Sequence, residues 1–262
     1  MDERKREHPF DFARSAAIGR GGRGSYDQRM DRILSAAADV IARSGFDKAS
    51  MRQIAGASGV SLAGLYHYFD NKDHLLFLIQ FRAFSSLLME VQSHLSGETD
   101  PAEQLRVLVR THISHVARSM ATLKVCSHEL DSLSGETYDR IWRIRREYYE
   151  LARSVVVRLI ETLAPGSGLD PRVATMSLFG TLNWLYRWYD PERDRSPSSL
   201  ANQITTQFMA GLSGAGRPGR NGATGTGPRP MRPNANGVNG PRPARKKDVT
   251  RASPRTRVVR AH

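Results

Sequence analysis

The chain has 262 residues, with 39 Lys and Arg against 26 Asp and Glu, and a single cysteine. This length allows one or two domains with a sizeable core, and one cysteine excludes a disulfide framework and fits the reducing cytoplasm. Charged residues interrupt the apolar runs and the N-terminus lacks an apolar signal segment, so we expect no membrane span and no membrane partner.

The net charge of +13 is concentrated at the two ends of the chain. Residues 213–262 hold 12 basic residues and one acid, residues 1–25 hold six and four, and residues 26–212 hold 21 of each. We interpret 1–25 as a flexible basic arm. Residues 213–262 are rich in Gly, Pro and Arg and contain no aromatic residue, which predicts a disordered polybasic tail. That tail either adds nonspecific DNA affinity or is an inert solvated extension.

A first amphipathic helix is predicted over 26–44, where apolar residues recur at spacings of three and four, and Gly45 ends it. A short second helix follows Ser50, which has the capping-box spacing to Gln53. Gly59 then supplies the backbone freedom that a tight turn between helices needs.

The third helix is also short and is capped by Ser61, with Leu65, Tyr68 and Phe69 on the face that we take as inward. Its other face begins with Ala63-Gly64, so this helix can approach another surface very closely. Two short helices around a tight turn are typical of a helix-turn-helix, in which the start of the second helix reads the DNA major groove.

Helical patterns continue to about residue 211, and we see no convincing strand. The next helix is apolar nearly all round from Leu75 to Val91, which indicates contact with two layers. Later segments are predicted at 100–116, 123–133, 135–164, 170–190 and 196–211, three of them opened by an Asp-Pro or Ser-Pro pair. The predicted fold class is all-α, with about nine helices.

The stretch from Val60 to Leu75, with Leu65-Tyr-His-Tyr-Phe69 and Lys72-Asp73 at its centre, closely resembles the recognition-helix signature of the tetracycline-repressor (TetR) family. The resemblance is strong over 26–76 and rests on helix pattern over 77–212. It implies a DNA-binding domain at 26–72 and a ligand-binding and dimerisation domain at 73–212. The family usually has Gly followed by Thr, Ser or Ala where this chain has Ala63-Gly64, so an operator sequence cannot be transferred.

By position, the resemblance implies DNA contacts from both helices of the motif. Tyr66, His67 and Lys72 match positions that contact phosphates, and Leu62 to Gly64 match positions that meet bases. Direct readout would then fall to Arg52, Ser61 and an apolar contact with a thymine methyl group. The complete predicted set is Ser50, Arg52, Ser61, Leu62, Ala63, Gly64, Tyr66, His67 and Lys72.

Residues 184–189 hold four aromatic side chains, more than one core face needs. Together with Glu129-Leu130 and the arginines of the long helix, this stretch resembles TetR regulators of fatty-acid and sterol catabolism, whose effectors are acyl-CoA thioesters. Alternatively, the aromatics form a dimer interface and the arginines a solvated face. The resemblance implies an effector site formed by Phe77, Phe81, Phe84, Trp142, Arg145, Arg146, Asn183, Trp184 and Arg187.

Neither enzymatic nor metal chemistry has a convincing signal. Walker A, G-x-S-x-G, H-E-x-x-H and dinucleotide-binding motifs are all absent from the sequence, so we expect no catalytic residue and no cofactor. His112-x-x-His115 and His128-Glu129 are pairs without a third ligand in register, so we expect them to line or border a pocket instead of binding metal.

The sequence therefore predicts a homodimeric repressor that binds a palindromic operator on double-stranded DNA and is released by a small molecule. We expect the last two helices to form the dimer interface, with Leu200, Ile204 and Phe208 as its seam and Gly180 allowing close approach. Two alternatives stay open: a regulator that responds to a hydrophobic ligand other than a CoA thioester, and an architectural DNA-binding protein driven by the basic tail.

Overall fold

The computed structural model describes residues 25–216, and within this range the chain forms nine α-helices and no strand. The all-α prediction is confirmed. The arm before residue 25 and the tail after residue 216 lie outside the described residues. The helices are α1 (Ser25–Ser44), α2 (Met51–Ser58), α3 (Leu62–Tyr68), α4 (Lys72–Leu95), α5 (Pro101–Ala117), α6 (Met120–His128), α7 (Gly135–Leu163), α8 (Pro171–Asn183) and α9 (Pro197–Ala215).

Side-chain caps start most of these helices where the sequence predicts them. The Asp100 carboxylate accepts the N–H groups of Ala102 and Glu103 at the start of α5, 3.2 and 3.3 Å away. Asp170 accepts the Arg172 N–H at 2.7 Å at the start of α8. A proline follows each of these caps, where its missing N–H costs no intrahelical bond.

Two clusters of buried side chains form the interior. The N-terminal core joins α1, α2, α3 and the first turns of α4 to Val125, Leu133 and Ile141, and the C-terminal core joins the end of α4 to α5, α7, α8 and α9. Helix α4 belongs to both, with Leu75 to Ile79 in the first and Leu87, Leu88 and Val91 in the second. By length and composition alone α4 could cross a membrane, but half of its most apolar stretch is buried inside the protein, and its place in two cores accounts for that apolarity.

The sequence pattern predicts that α8 continues through the aromatic stretch at 184–189, and this prediction is wrong. That helix ends at Asn183, and a 3-10 turn follows at Leu185–Arg187. Leu185 and Tyr189 point into the C-terminal core, and the Tyr189 hydroxyl donates to the Arg195 carbonyl at 2.9 Å. Burial of these two side chains therefore favours the tighter turn over another turn of α-helix.

The predicted dimer seam on α9 is wrong in part, because its first two residues are buried within the protomer. Leu200 and Ile204 belong to the C-terminal core, and Phe208 packs against it half-buried. The exposed face of α8 carries the larger apolar side chains instead, since Val173, Met176 and the following Trp184 are each at least half exposed. Helix α9 also continues to Ala215, four residues beyond the predicted end.

Candidate DNA-binding and effector sites

The start of α2 has the capping box that the sequence predicts. The Ser50 hydroxyl accepts the Gln53 N–H at 3.3 Å, and the Gln53 side-chain oxygen accepts the Ser50 N–H at 2.9 Å. Met51, Ile54 and Ala55 are buried, which leaves Arg52 exposed on the opposite face. The cap and the inward residues together determine which side of α2 faces solvent.

The turn between α2 and α3 depends on a left-handed glycine. Gly59 has φ of +69°, and Ser61 caps α3 by accepting the Gly64 N–H at 3.0 Å. A Cβ added at Gly64 would lie 3.1 Å from the Ser61 hydroxyl oxygen, which is a tight approach. Because Gly64 has no side chain, the Ser61 hydroxyl has room to cap the start of α3.

Helix α3 presents one face to solvent. Leu65 and Phe69 are buried, Tyr68 is half-buried, and the opposite side of the helix holds most of the predicted DNA contacts. Tyr66 has 51% of its surface exposed, although it is a large aromatic residue. The predicted contacts that are exposed are Ser50, Arg52, Ser61, Ala63, Tyr66 and His67, while Leu62, Gly64 and Lys72 are half-buried.

Lys72 is held by the protein itself. Its ammonium group donates to the carbonyls of Phe46, Asp47 and Ala49 at 2.8, 3.3 and 3.2 Å, and lies 4.3 Å from the centre of the Phe46 ring. Three acceptors match the three donors of an ammonium group. Lys72 therefore secures the turn between α1 and α2, and its contact with a phosphate stays a prediction.

Side-chain bonds join the DNA-binding helices to α4 and α6. Glu129, which ends α6, accepts the Phe46 N–H at 3.2 Å and the Ser132 hydroxyl at 3.0 Å. The buried Gln80 of α4 donates to the Glu129 carbonyl at 3.0 Å. A displacement of α6 would therefore act directly on the turn that precedes α2. The sequence pattern associates Glu129 with the effector region and does not reveal this role, since the contact to Phe46 spans 83 positions.

Some of the predicted effector residues meet between α4 and α7. The Phe77 and Phe81 rings lie 5.4 Å apart, with the Arg140 guanidinium carbon 5.3 and 5.2 Å from their centres. The Arg145 guanidinium carbon lies 5.2 Å from the centre of the Phe84 ring. We call these five residues the aromatic–arginine cluster.

Arg145 is the most enclosed cation of this cluster. Burial lowers its pKa, an effect opposed by the nearby Cys126, Tyr138 and Asp131. No hydrogen bond or ion pair connects Arg145 to another described residue. Burial likewise raises the pKa of the Cys126 thiol, to about 12, so this cysteine is a neutral neighbour. A largely desolvated guanidinium without an ion pair or hydrogen bond costs free energy, and an anionic ligand in direct contact would offset that cost.

The remaining predicted effector residues lie elsewhere. On α7, Trp142 is half-buried, and the guanidinium carbon of the exposed Arg146 lies 5.2 Å from the centre of its ring. After α8, Trp184 is 55% exposed, and the Arg187 guanidinium carbon lies 5.7 Å from the centre of its ring. Asn183, the last residue of α8, is half-buried. No described ring or cation–π contact joins either pair to the aromatic–arginine cluster. The described contacts therefore group the predicted effector residues into the aromatic–arginine cluster and two stacked pairs, and a single effector site stays a prediction.

A cleft of about 450 Å³ lies between α4 and α5, away from these predicted residues. Its charged groups include Glu90, which pairs with Arg118 at 2.6 Å and with His115 at 3.4 Å. Burial lowers the pKa of His115. Burial alone would raise the pKa of Glu90, but hydrogen bonds and charge interactions with Arg118 and His115 outweigh it and lower that pKa. The cleft is lined by Glu90, His94, Val107, Arg110, Thr111, Ser114 and Arg118.

The histidines form no metal centre within 25–216, where no group of three or more His, Cys, Asp or Glu could hold an ion. His128 lies 2.6 Å from the Tyr186 hydroxyl, and His112 lies 2.9 Å from the Tyr148 hydroxyl. His112 is fully buried, in agreement with an inward position in the apolar pattern of α5.

Comparison with known proteins shows two family models that match this chain. Residues 33–79 match the family described as "Bacterial regulatory proteins, tetR family", and residues 98–212 match "Tetracyclin repressor-like, C-terminal domain". The Fatty acid metabolism regulator protein of Bacillus subtilis (strain 168) is 23% identical over 181 residues, which cover 69% of this chain and 93% of the relative. The HTH-type transcriptional repressor KstR2 of Rhodococcus jostii (strain RHA1) is 24% identical over 186 residues, 71% of this chain and 91% of the repressor.

Solved structures agree. A TetR-family transcriptional regulator from Bordetella parapertussis 12822 superposes with a TM-score of 0.64 and 30% identity, covering 70% of this chain and 95% of that one. AibR in complex with isovaleryl coenzyme A and operator DNA superposes with a TM-score of 0.60 and 29% identity, covering 68% and 97%. Since the helix-turn-helix, the helical C-terminal domain and nearly the full length of these relatives are matched, the chain belongs to the TetR family of transcriptional regulators and is not an enzyme.

Proposed function

We propose that the protein is a homodimeric cytoplasmic repressor that leaves a palindromic operator when an acyl-CoA thioester binds beside the aromatic–arginine cluster. The observation that carries the effector half of this proposal is Arg145, an enclosed guanidinium stacked on Phe84 without an ion-pair partner among the described residues. A CoA thioester carries anionic phosphates that would pair with such a cation and, at the other end of its pantetheine arm, an apolar acyl chain that an apolar core can bury.

The relatives support the same class of effector. AibR was crystallised with isovaleryl coenzyme A and operator DNA, and the Bacillus subtilis relative regulates fatty acid metabolism. The contacts of Glu129 with Phe46 and Gln80 supply a route by which ligand between α4 and α7 would act on the DNA-binding helices. Release requires that the ligand bind the DNA-free geometry more tightly than the DNA-bound one.

The DNA half of the proposal rests on exposure and on symmetry. Arg52, Tyr66 and His67 are exposed on α2 and α3, on the side away from the buried residues of these helices. One helix-turn-helix contacts one half-site, so a palindrome needs a second copy. The exposed apolar residues of α8, Val173 and Met176, together with Trp184, offer a surface for that copy.

Titration of the protein–operator complex tests the proposal. An operator is first selected from random duplexes, and the complex is then titrated with isovaleryl-CoA, decanoyl-CoA, palmitoyl-CoA and the corresponding free acids. We expect thioesters to release the DNA and the acids to do so poorly. Arg145→Gln should raise the thioester concentration needed by about tenfold, because one charge-assisted contact is lost, while the exposed Arg143→Gln on the same helix serves as the matched control.

Three other outcomes would favour the alternatives. Release by free acids alone, or by apolar compounds without a thioester, would replace the CoA effector with another hydrophobic ligand. Equal effects of Arg145→Gln and Arg143→Gln would remove the enclosed guanidinium from the site. A protein that selects no sequence and loses its DNA affinity steeply with salt would be an architectural binder driven by its basic tail.

A further inference from the structure

A histidine lies in the middle of the C-terminal core. His112 of α5 is 2% exposed, and its ring lies against Tyr148 of α7 and Phe179 of α8, with centroids 5.8 and 6.4 Å away. Burial, together with the positive charge of the nearby His115, lowers its pKa to about 3. The ring is therefore neutral at physiological pH, with one nitrogen as donor and the other as acceptor.

Only one of the two ring nitrogens has a partner. Nδ1 lies 2.9 Å from the Tyr148 hydroxyl oxygen, whereas Nε2 is buried and has no hydrogen-bond partner among residues 25–216. If the Tyr148 hydroxyl donates to Nδ1, the proton of the ring lies on Nε2 and only this N–H is unsatisfied. The opposite tautomer would leave both the Nε2 lone pair and the tyrosine proton without partners. The first arrangement satisfies more groups, so Nε2 carries an N–H that points into an apolar core.

An apolar side chain would fill this position without such a cost. A buried donor without an acceptor is destabilising, and replacing a polar pair with apolar groups of similar shape is often neutral or stabilising. Buried polar groups without a partner are rare in folded proteins and call for a physical explanation. An acceptor that arrives from outside the protein provides one.

The position of His112 relates it to the proposed effector site. Tyr148, its partner, follows Arg145 by three residues on α7, so the two side chains share one face of that helix. A ligand with its anionic part at Arg145 and its apolar part directed along α7 into the C-terminal core would pass beside Tyr148. An oxygen atom on that apolar part would meet the unsatisfied N–H where the ligand reaches the side of the His112 ring that faces away from Tyr148.

We propose that His112 Nε2–H is the hydrogen-bond donor for a carbonyl oxygen on the buried, uncharged part of the effector, with Tyr148 as the positioning residue that sets the tautomer. The inference deepens the proposed function, since it specifies that the effector bears a carbonyl group within its apolar part. A hydrocarbon of the same shape would lack the acceptor and would bind less tightly. Discrimination arises because the site is left with an unpaired buried donor when the acceptor is missing.

A pair of isosteric probes tests this inference without CoA. Cyclohexanone and methylenecyclohexane differ in one group, C=O against C=CH2, and their affinities for the full-length protein can be measured by histidine-selective NMR titration. We expect the wild type to bind the ketone about tenfold more tightly, the effect of one buried hydrogen bond. His112→Leu should reduce that ratio to about one, and His112→Asn, which retains a donor, should restore part of it.

Two further variants keep the result interpretable. Tyr148→Phe retains the histidine and the core volume but frees Nδ1, so the ratio should fall toward one even if His112→Leu folds poorly. His115→Gln changes the other histidine of α5 and should leave the ratio unchanged. A ratio near one in the wild type, including the case in which neither probe binds, or a ratio that survives both His112→Leu and Tyr148→Phe, overturns the inference.

The operator titration separates this inference from the proposed function. Preference for the ketone without release of DNA by any thioester would retain the role of His112 and remove the CoA effector. Release by thioesters without preference for the ketone would retain the CoA effector and remove the role of His112.

Discussion

At the scale of single residues, Lys72 and Tyr66 show why a match to a family position does not define a role. Both match positions that contact phosphates, but Lys72 already donates to three carbonyls of the turn before α2, whereas Tyr66 is exposed. The same substitution at the two positions should therefore affect different properties.

Lys72→Ala should lower the free energy of unfolding by about 1–3 kcal/mol, because it removes charge-assisted hydrogen bonds from a half-buried group. Tyr66→Ala should leave stability within about 0.5 kcal/mol of the wild type and weaken binding similarly on all DNA sequences, since phosphate contacts position without reading bases. Urea unfolding and fluorescence titration with duplex DNA measure the two effects. An unchanged stability of Lys72→Ala would show that its three hydrogen bonds contribute nothing to the fold.

The buried His112 makes a second prediction, about pH. Its pKa is about 3 in the folded protein against 6.5 ordinarily, so the unfolded chain binds a proton at intermediate pH that the folded chain does not. Stability from this group is therefore fully present above pH 6.5 and is lost as the pH falls toward 3. His115, whose pKa is lowered too, acts in the same direction.

Urea unfolding from about pH 7 to about pH 5 should show this loss, with a slope that approaches about 1.4 kcal/mol per pH unit for one proton. For His112→Leu, the free energy of unfolding should depend on pH less steeply, by up to the contribution of one proton. The reason is that the substitution removes the titrating group from both the folded and the unfolded state. Identical slopes for the two proteins would show that His112 is protonated in the folded state.

At the scale of secondary structure elements, the helix-turn-helix depends on the backbone at Gly59. With φ of +69° this residue occupies the left-handed region, where a Cβ is unfavourable, although nothing lies within 4 Å of the position where a Cβ would be. Gly56, three residues earlier in α2, is exposed, has a right-handed φ and equally open space. The two glycines therefore differ in backbone conformation and not in packing.

Gly59→Ala should destabilise the protein by about 1–2 kcal/mol because of this backbone conformation. Gly56→Ala should stabilise it by about 0.5–1 kcal/mol, because alanine favours the helix interior. Thermal unfolding of the two variants beside the wild type measures both signs. A loss of stability in both variants would mean that packing, and not the left-handed backbone, determines the cost at Gly59.

At the scale of the whole molecule, the exposed face of α8 should form the contact between two copies. Met176 on that face and Met89 on α4 are exposed to nearly the same extent, 50% and 49%, so they form a matched pair. A charge introduced within an apolar interface is costly to desolvate, whereas a charge on a solvated face is not.

Met176→Glu should therefore shift the protein from dimer to monomer and weaken binding to a palindromic operator, while Met89→Glu should remain a dimer. Sedimentation velocity across a concentration series, together with operator titration, measures both properties. A dimeric Met176→Glu, or a monomeric Met89→Glu, would place the contact between copies elsewhere on the molecule.

The sequence by itself determined the features that depend on neighbours along the chain. The Ser50–Gln53 capping box, the left-handed Gly59, the Ser61 cap and the Asp-Pro starts of α5 and α8 each involve groups within a few residues, so spacing and residue type predict them. Apolar periodicity likewise predicts about nine helical segments and the inward residues of α1 and α2, because a helix repeats every 3.6 residues. It does not predict the bounds of α6 or the end of α8.

Only the tertiary structure decided which partners distant side chains find. The spacing of Leu200 and Ile204 on α9 fits a contact between two copies as well as a contact within one protomer. Their burial within the protomer depends on where α5 and α7 lie. The contacts of Glu129 with Phe46 and of Lys72 with the turn before α2 join residues 83 and at least 23 positions apart, which no local pattern encodes. The unsatisfied nitrogen of His112 is likewise a property of everything that surrounds it and not of α5 alone.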